Sequence, residues 1–112
     1  MKLVTAVVQP NMLTRVQIAL ARYGIQGMTV TEASGYARQK GHTEVYRGAE
    51  YTIDFIAKVK IEVLTEDDDV SGVVKTIQSA ACTGQVGDGK IWVVGVDEVV
   101  RIRTGETGSD AV

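Results

Sequence analysis

The order of hydrophobic periods along this chain constrains its fold more than any other feature. A strand-type run, a helix-type stripe and a second strand-type run occur in that order, and the same order returns after a polar interval. Residues 2–9 are rich in Val, Leu and Thr and read as a strand. Pro10 ends it, because proline cannot donate to a ladder. Asn11 is placed to cap a helix over 12–23, where Leu13, Val16, Leu20 and Tyr23 form one stripe. Gly24 stops that helix, and residues 27–34 read as a second strand. Residues 55–64 alternate, with Val59, Ile61 and Val63 on one face and Lys58, Lys60 and Glu62 on the other, as a half-buried strand does. Thr65 and Asp68 have the spacing of a capping box, with Glu66 and Asp67 suited to the positive end of a helix dipole. Val70, Val73, Val74, Ile77 and Ala81 then make a second helical stripe. Residues 90–96 read as a fourth strand and residues 99–103 as a short fifth. The polar tail is expected to be mobile unless a partner chain holds it.

Two split βαβ units of similar length predict a ferredoxin-like α+β sandwich. The 112 residues leave room for one domain, spanning 1–112. Within it lie a long mobile loop over 35–54, a glycine-rich loop over 82–90, and a C-terminal strand and tail over 101–112. Both helices must pack on one face of the antiparallel sheet. Val and Ile occur on both sides of several strands, so the second face needs cover, and a closed homo-oligomer is the economical answer. Hydrophobic residues at 45% and charged residues at 23% are globular proportions and exclude a disordered chain. A formal net charge of −2 weighs against a protein that lives on a nucleic-acid backbone. One cysteine and one histidine leave no intrachain disulfide and no zinc site of the usual kind. No apolar run is long enough to span a membrane, and the N-terminal run is too short for a signal peptide, so a cytoplasmic location is expected.

Three features could carry chemistry. Gly84-Gln85-Val86-Gly87-Asp88-Gly89-Lys90 fits the phosphate-loop pattern up to its last position, where Ile91 replaces the magnesium-holding Ser or Thr. It also follows a helix and opens a strand, the reverse of a P-loop. Its glycines still allow backbone N–H groups to turn toward an anion, with Lys90 adding a charge; the plain alternative is a tight turn. Arg101 and Arg103, two apart on the expected fifth strand, would share a face and suit a polyphosphate; the alternative is a charged edge strand. The polar stretch over 35–54 interleaves Arg38, Lys40 and Arg47 with Tyr36, Tyr46 and Tyr51 but dilutes them with Glu44, Glu50 and Asp54. A loop of that length is usually functional. His42 lacks the partners of a triad, Cys82 reads as a small apolar filler, and Trp92 reads as core or interface.

Tyr46-Arg47-Gly48-Ala49-Glu50-Tyr51 and Thr83-Gly84-Gln85-Val86-Gly87-Asp88-Gly89-Lys90-Ile91-Trp92 resemble the two signatures of the PII signal-transduction proteins, the bacterial nitrogen regulators. Arg101-Ile102-Arg103-Thr104-Gly105-Glu106 resembles their C-terminal stretch, and the likeness runs along essentially the whole chain. The resemblance implies a cytoplasmic homotrimer that senses nitrogen and energy status without being an enzyme. ATP or ADP would bind in clefts between subunits, at Thr29, Ala37, Arg38, Gln39, Glu62, Leu64, Thr83, Gly87, Asp88, Gly89, Lys90, Arg101 and Arg103. 2-Oxoglutarate would bind beside MgATP, with Gln39 ligating Mg2+, Lys58 pairing a carboxylate, and Lys40 and Gly41 completing the site. Tyr51, at the loop tip, resembles the tyrosine that a nucleotidyl-modifying enzyme uridylylates or adenylylates. Arg47 resembles the arginine that plugs an ammonium transport channel, a partner able to recruit the protein to the inner membrane. Nitrogen-metabolism enzymes and regulators are the other implied partners, with no nucleic acid and no direct membrane insertion. The chain departs from the family pattern at Ala37, usually Gly, at Gln9 and Gln85, where Lys is common, at Ala57, a common Pro, and at Cys82, usually polar. Ala49 removes the phosphorylatable serine of cyanobacterial relatives. The rivals are a small nucleotide-dependent enzyme, which lacks a general base near the glycine loop, and an RNA-recognition domain, whose strands should carry exposed aromatics.

Overall fold

The computed structural model describes residues 1–36, 44–46, 49–51 and 55–112. Among these residues, six strands and two helices follow one another as β1 (Lys2–Val8), α1 (Leu13–Tyr23), β2 (Thr29–Tyr36), β3 (Glu44–Tyr46), β4 (Ala49–Tyr51), β5 (Phe55–Thr65), α2 (Val70–Ala81) and β6 (Gly89–Gly95). The long strands form an antiparallel sheet in the order β2-β5-β1-β6, and β3 pairs with β4 as a separate two-stranded ribbon. This is the ferredoxin-like arrangement that the alternating periods predict.

Alternation along β1 and β5 decides which face is inside. Val4, Ala6 and Val8 lie opposite Val63, Ile61 and Val59 in register, and all six are buried. Val16 and Leu20 of α1 and Val73, Ile77 and Ala81 of α2 complete that core, so each helix buries the stripe its sequence marks. α1 ends where Gly24 takes φ 111°, a left-handed conformation that lets its N–H reach the carbonyls of Leu20 and Ala21.

Among the described residues, nothing covers the opposite sheet face. Leu64, Trp92 and Val94 lie on it with 40%, 44% and 47% of their surface exposed. Thr5 is the buried exception, flanked in register by Glu62 and Trp92. Trp92 is therefore not a core residue of the single chain.

Helix starts differ from the sequence expectation. Pro10–Met12 and Asp67–Asp69 are 3-10 turns, and no side chain caps either them or the helices that follow. The tighter turn supplies the missing acceptors, since Met12 N–H donates to the Gln9 carbonyl at 2.9 Å and Asp69 N–H to that of Glu66 at 3.1 Å. Asn11 thus has no helix to cap. The Thr65 hydroxyl donates to the Glu66 carbonyl instead of closing a box with Asp68. Asp67 meets the terminal ammonium of Met1 at 2.7 Å, whose hydrogen bond and charge hold its carboxyl below the usual range.

The expected fifth strand over 99–103 does not form. Val100 makes a single bridge to Thr107, and between them the chain turns, with Gly105 at φ 71° donating its N–H to the Arg101 carbonyl. Residues 108–112 continue into a 3-10 turn, Gly108–Ala111. The polar interval is also not plain loop: β2 runs on to Tyr36, and the ribbon β3–β4 lies within it.

Replacing fully buried Ile77 by Ala should cost about 2–5 kcal/mol of stability in urea unfolding. The same change at Ile18, on the exposed side of α1, should cost less than about 1 kcal/mol. Equal losses at the two positions would contradict this assignment of the core.

Candidate functional site

The register of β1 divides the sequence-predicted site residues into two groups, one at each end of the sheet. At the first end, Val8 pairs with Val59 and with Gly89. Gly89 has φ +113°, and a Cβ there would stand 1.7 Å from the Val7 carbonyl oxygen. Only glycine lets the loop from α2 enter β6 this closely.

Asp88 closes that loop. Its carboxylate accepts the N–H of Thr83 at 2.7 Å and of Gly84 at 3.0 Å, together with the Thr83 hydroxyl. The Gln9 amide adds a bond from the end of β1 at 3.4 Å. The Thr83 hydroxyl foremost, and then the backbone N–H groups of Thr83 and Gly84, favour the ionised form and hold the Asp88 carboxyl below the ordinary aspartate value. The loop's own carboxylate thus takes up these donors and holds the loop closed. Lys58, on the open face of β5, donates to the Gly87 carbonyl, and Lys90 is exposed at the start of β6. The structure thus brings Lys58, Thr83, Gly87, Asp88, Gly89 and Lys90 together.

The second group surrounds a groove of about 740 Å³ at the other end of the sheet. Thr29 of β2 pairs with Glu62 of β5, and both line the groove with Leu64. Glu62 accepts from the Thr5 hydroxyl at 3.4 Å and lies 3.8 Å from the Lys60 ammonium. The turn after α1, the corner at Glu66 and, from the end of the chain, Ser109 and Val112 supply the remaining walls. Lys58 and Glu62 share a strand face four residues apart, about 13 Å along β5.

Arg101 and Arg103 join neither group. Without a fifth strand they share no sheet face, and neither lines the groove. Arg101 is turned into its own loop, 3.3 Å from the Glu106 carboxylate, which also accepts the Thr104 hydroxyl at 2.7 Å. Tyr51 is the last residue of β4, paired with Glu44 at the open end of the ribbon, so its backbone is not at the tip. Ala37, Arg38, Gln39, Lys40, Gly41, His42 and Arg47 lie outside the described residues. Cys82 is exposed rather than a buried filler.

The sequence reading missed Gln9 as a partner of Asp88, although the residue stood out as a departure. It also missed the groove walls at Gln26, Met28 and Glu66, which no local pattern marks.

Comparison with known proteins agrees with this architecture. The family model described as nitrogen regulatory protein P-II matches residues 1–106. Nitrogen regulatory protein P-II of Mesorhizobium japonicum is 60% identical over 112 residues, and that of Azospirillum brasilense 59%, each covering the whole of both chains. The crystal structure of Arabidopsis thaliana PII bound to citrate superposes with a TM-score of 0.83 at 38% identity, over 99% of this chain and 91% of that one.

The Asp88 clamp makes a signed prediction. A carboxyl held below 3.8 contributes to loop order above that pH and loses the contribution as pH falls through its lowered value. The Asp88 carboxyl resonance should therefore titrate with a midpoint below 3.8, and Asp88→Asn should speed amide exchange at Thr83 and Gly84. A midpoint at or above 3.8 with unchanged exchange would contradict the clamp.

Proposed function

The chain belongs to the nitrogen regulatory protein P-II family, and we propose that it is a nitrogen- and energy-status sensor that binds ATP or ADP and 2-oxoglutarate between copies of itself. The observation that carries the proposal is the split site. The loop Thr83–Lys90, bridged to Lys58, stands at one end of the sheet. A groove walled by Thr29, Glu62 and Leu64 stands at the other.

The groove would take the base and sugar, and its volume is ordinary for a small-molecule site. The loop Thr83–Lys90 of a neighbouring copy would take the phosphates. The open apolar sheet face around Leu64, Trp92 and Val94 supports an assembly that brings unlike ends together. Such head-to-tail contacts close into a ring, here proposed as a homotrimer. Arg101 and Arg103 would reach the phosphates once Arg101 leaves Glu106.

Among the described residues, no group of three His, Cys, Asp or Glu side chains could hold a metal. Mg2+ would therefore be held by ATP, by 2-oxoglutarate and by Gln39. In that site Lys58 would exchange the Gly87 carbonyl for a 2-oxoglutarate carboxylate, a stronger charge-assisted bond. Citrate bound to the Arabidopsis relative supports a family site for a small polycarboxylate. Occupancy near Gln39, Lys40 and Gly41 would bias the segment 35–54, which carries Arg47 and Tyr51, toward or away from partner proteins. An ammonium channel, a nucleotidyl-modifying enzyme and nitrogen-assimilation enzymes or regulators are the proposed partners. The role is regulatory rather than catalytic, in the cytoplasm; no helix among the described residues is long and apolar enough to cross a membrane.

Lys58→Met should weaken 2-oxoglutarate binding about 10- to 100-fold, the range for a hydrogen bond to a charged group, and leave ADP binding within about twofold. Calorimetry on both ligands checks it. Unchanged 2-oxoglutarate binding would remove Lys58 from the site.

A further inference from the structure

Glu66 forms the corner between β5 and α2, and its backbone is pinned there. Its carbonyl accepts the Thr65 hydroxyl at 3.3 Å and the Asp69 N–H at 3.1 Å. Its side-chain Oε1 has almost no accessible surface and, among the described residues, no hydrogen-bond partner. Burial strips a carboxylate oxygen of water, and native structures rarely leave such an atom without a donor. The same residue lines the groove that holds Thr29, Glu62 and Leu64. The other carboxylates on the groove do not share its condition: Glu62 is engaged by Thr5 and Lys60, and Asp69 is exposed to water.

We propose that Glu66 is a specificity-determining residue of the groove, whose carboxylate accepts a hydrogen bond from a neutral donor on the bound nucleoside. The proposal rests on the nucleotide reading given above. A glutamate side chain has several staggered rotamers, and a change of rotamer carries the carboxylate out of its dry position to present an acceptor to the groove. The ligand then supplies the donor that the chain lacks. A nucleoside has two donors of this chemistry, the exocyclic amine of adenine and the ribose hydroxyls. A site built to receive a donor rejects analogues without it, because its acceptor is left unpaired.

The test is calorimetric titration of the full chain and of its Glu66→Ala and Glu66→Gln variants with ATP, inosine triphosphate, 2′-deoxy-ATP and 3′-deoxy-ATP, with a Tm for each protein. The wild type should prefer ATP over at least one analogue by about tenfold. Discrimination against inosine triphosphate assigns the amine as donor, and discrimination against a deoxy analogue assigns the hydroxyl. Glu66→Ala should level that preference without lowering Tm, since it removes an unsatisfied acceptor. Glu66→Gln, which keeps one carbonyl acceptor, should retain part of it. Equal selectivity in wild type and Glu66→Ala overturns the proposal and leaves the nucleotide reading standing. A Tm drop with equal weakening for all four ligands also overturns it, because Glu66 is then structural. A wild type that binds none of the four removes both.

Discussion

The central position of β1 is the constraint on which the rest of the structure depends. It pairs with β5 on one side and β6 on the other, residue for residue along its length. Its even positions, Val4, Ala6 and Val8, fill the core under both helices. A slip of one residue would send them to the open face and expose the whole set. The same register places Thr5 beside Glu62 and Val8 beside Gly89. Both ends of the candidate site are thus consequences of one hydrophobic pattern, and the side chains that bind are carried on a frame that side chains of another kind hold in place.

How much of this was legible in the sequence depended on the range of the interaction. Hydrophobic period gave the strands, the two helices and the core stripes, because burial acts on every second or every third to fourth residue and leaves a long signature. Caps were misread because their signal is one or two residues deep. At Asn11 and at Thr65–Asp68 a 3-10 turn satisfied the backbone donors without any side chain. The segment Val99-Val100-Arg101-Ile102-Arg103 has strand composition, yet Thr104, Gly105 and Glu106 supply turn chemistry that overrides it. The glycine loop was legible as a turn opening β6, with Lys90 at its end. Asp88 entered the nucleotide-site set through the family likeness, but its role as the acceptor that closes the loop was not legible, and its bond to Gln9 joins positions 79 apart in sequence. The orphaned oxygen of Glu66 is a product of packing and has no local mark at all.

The division of the site carries the functional argument. A loop whose amides converge on Asp88, and whose Gly87 carbonyl holds Lys58, is fixed in shape and bridged to β5. In the proposed site such a loop would report an effector, because moving Lys58 from a backbone carbonyl to a ligand carboxylate would change what holds the loop. The groove combines an uncharged wall at Thr29 and Leu64 with the carboxylates of Glu62, Glu66 and Asp69. The uncovered sheet face gives the chain a reason to assemble, and assembly is what would bring the loop of one copy to the groove of the next.

Dependence of one ligand on the other is the central claim of the proposal, in which Mg2+ held jointly by ATP, 2-oxoglutarate and Gln39 would couple the two binding equilibria. The most direct measurement is a calorimetric titration of 2-oxoglutarate into the protein with MgATP present and again without it. The account predicts saturable binding with MgATP and none in its absence. Equal 2-oxoglutarate binding in both titrations, or none in either, would contradict it.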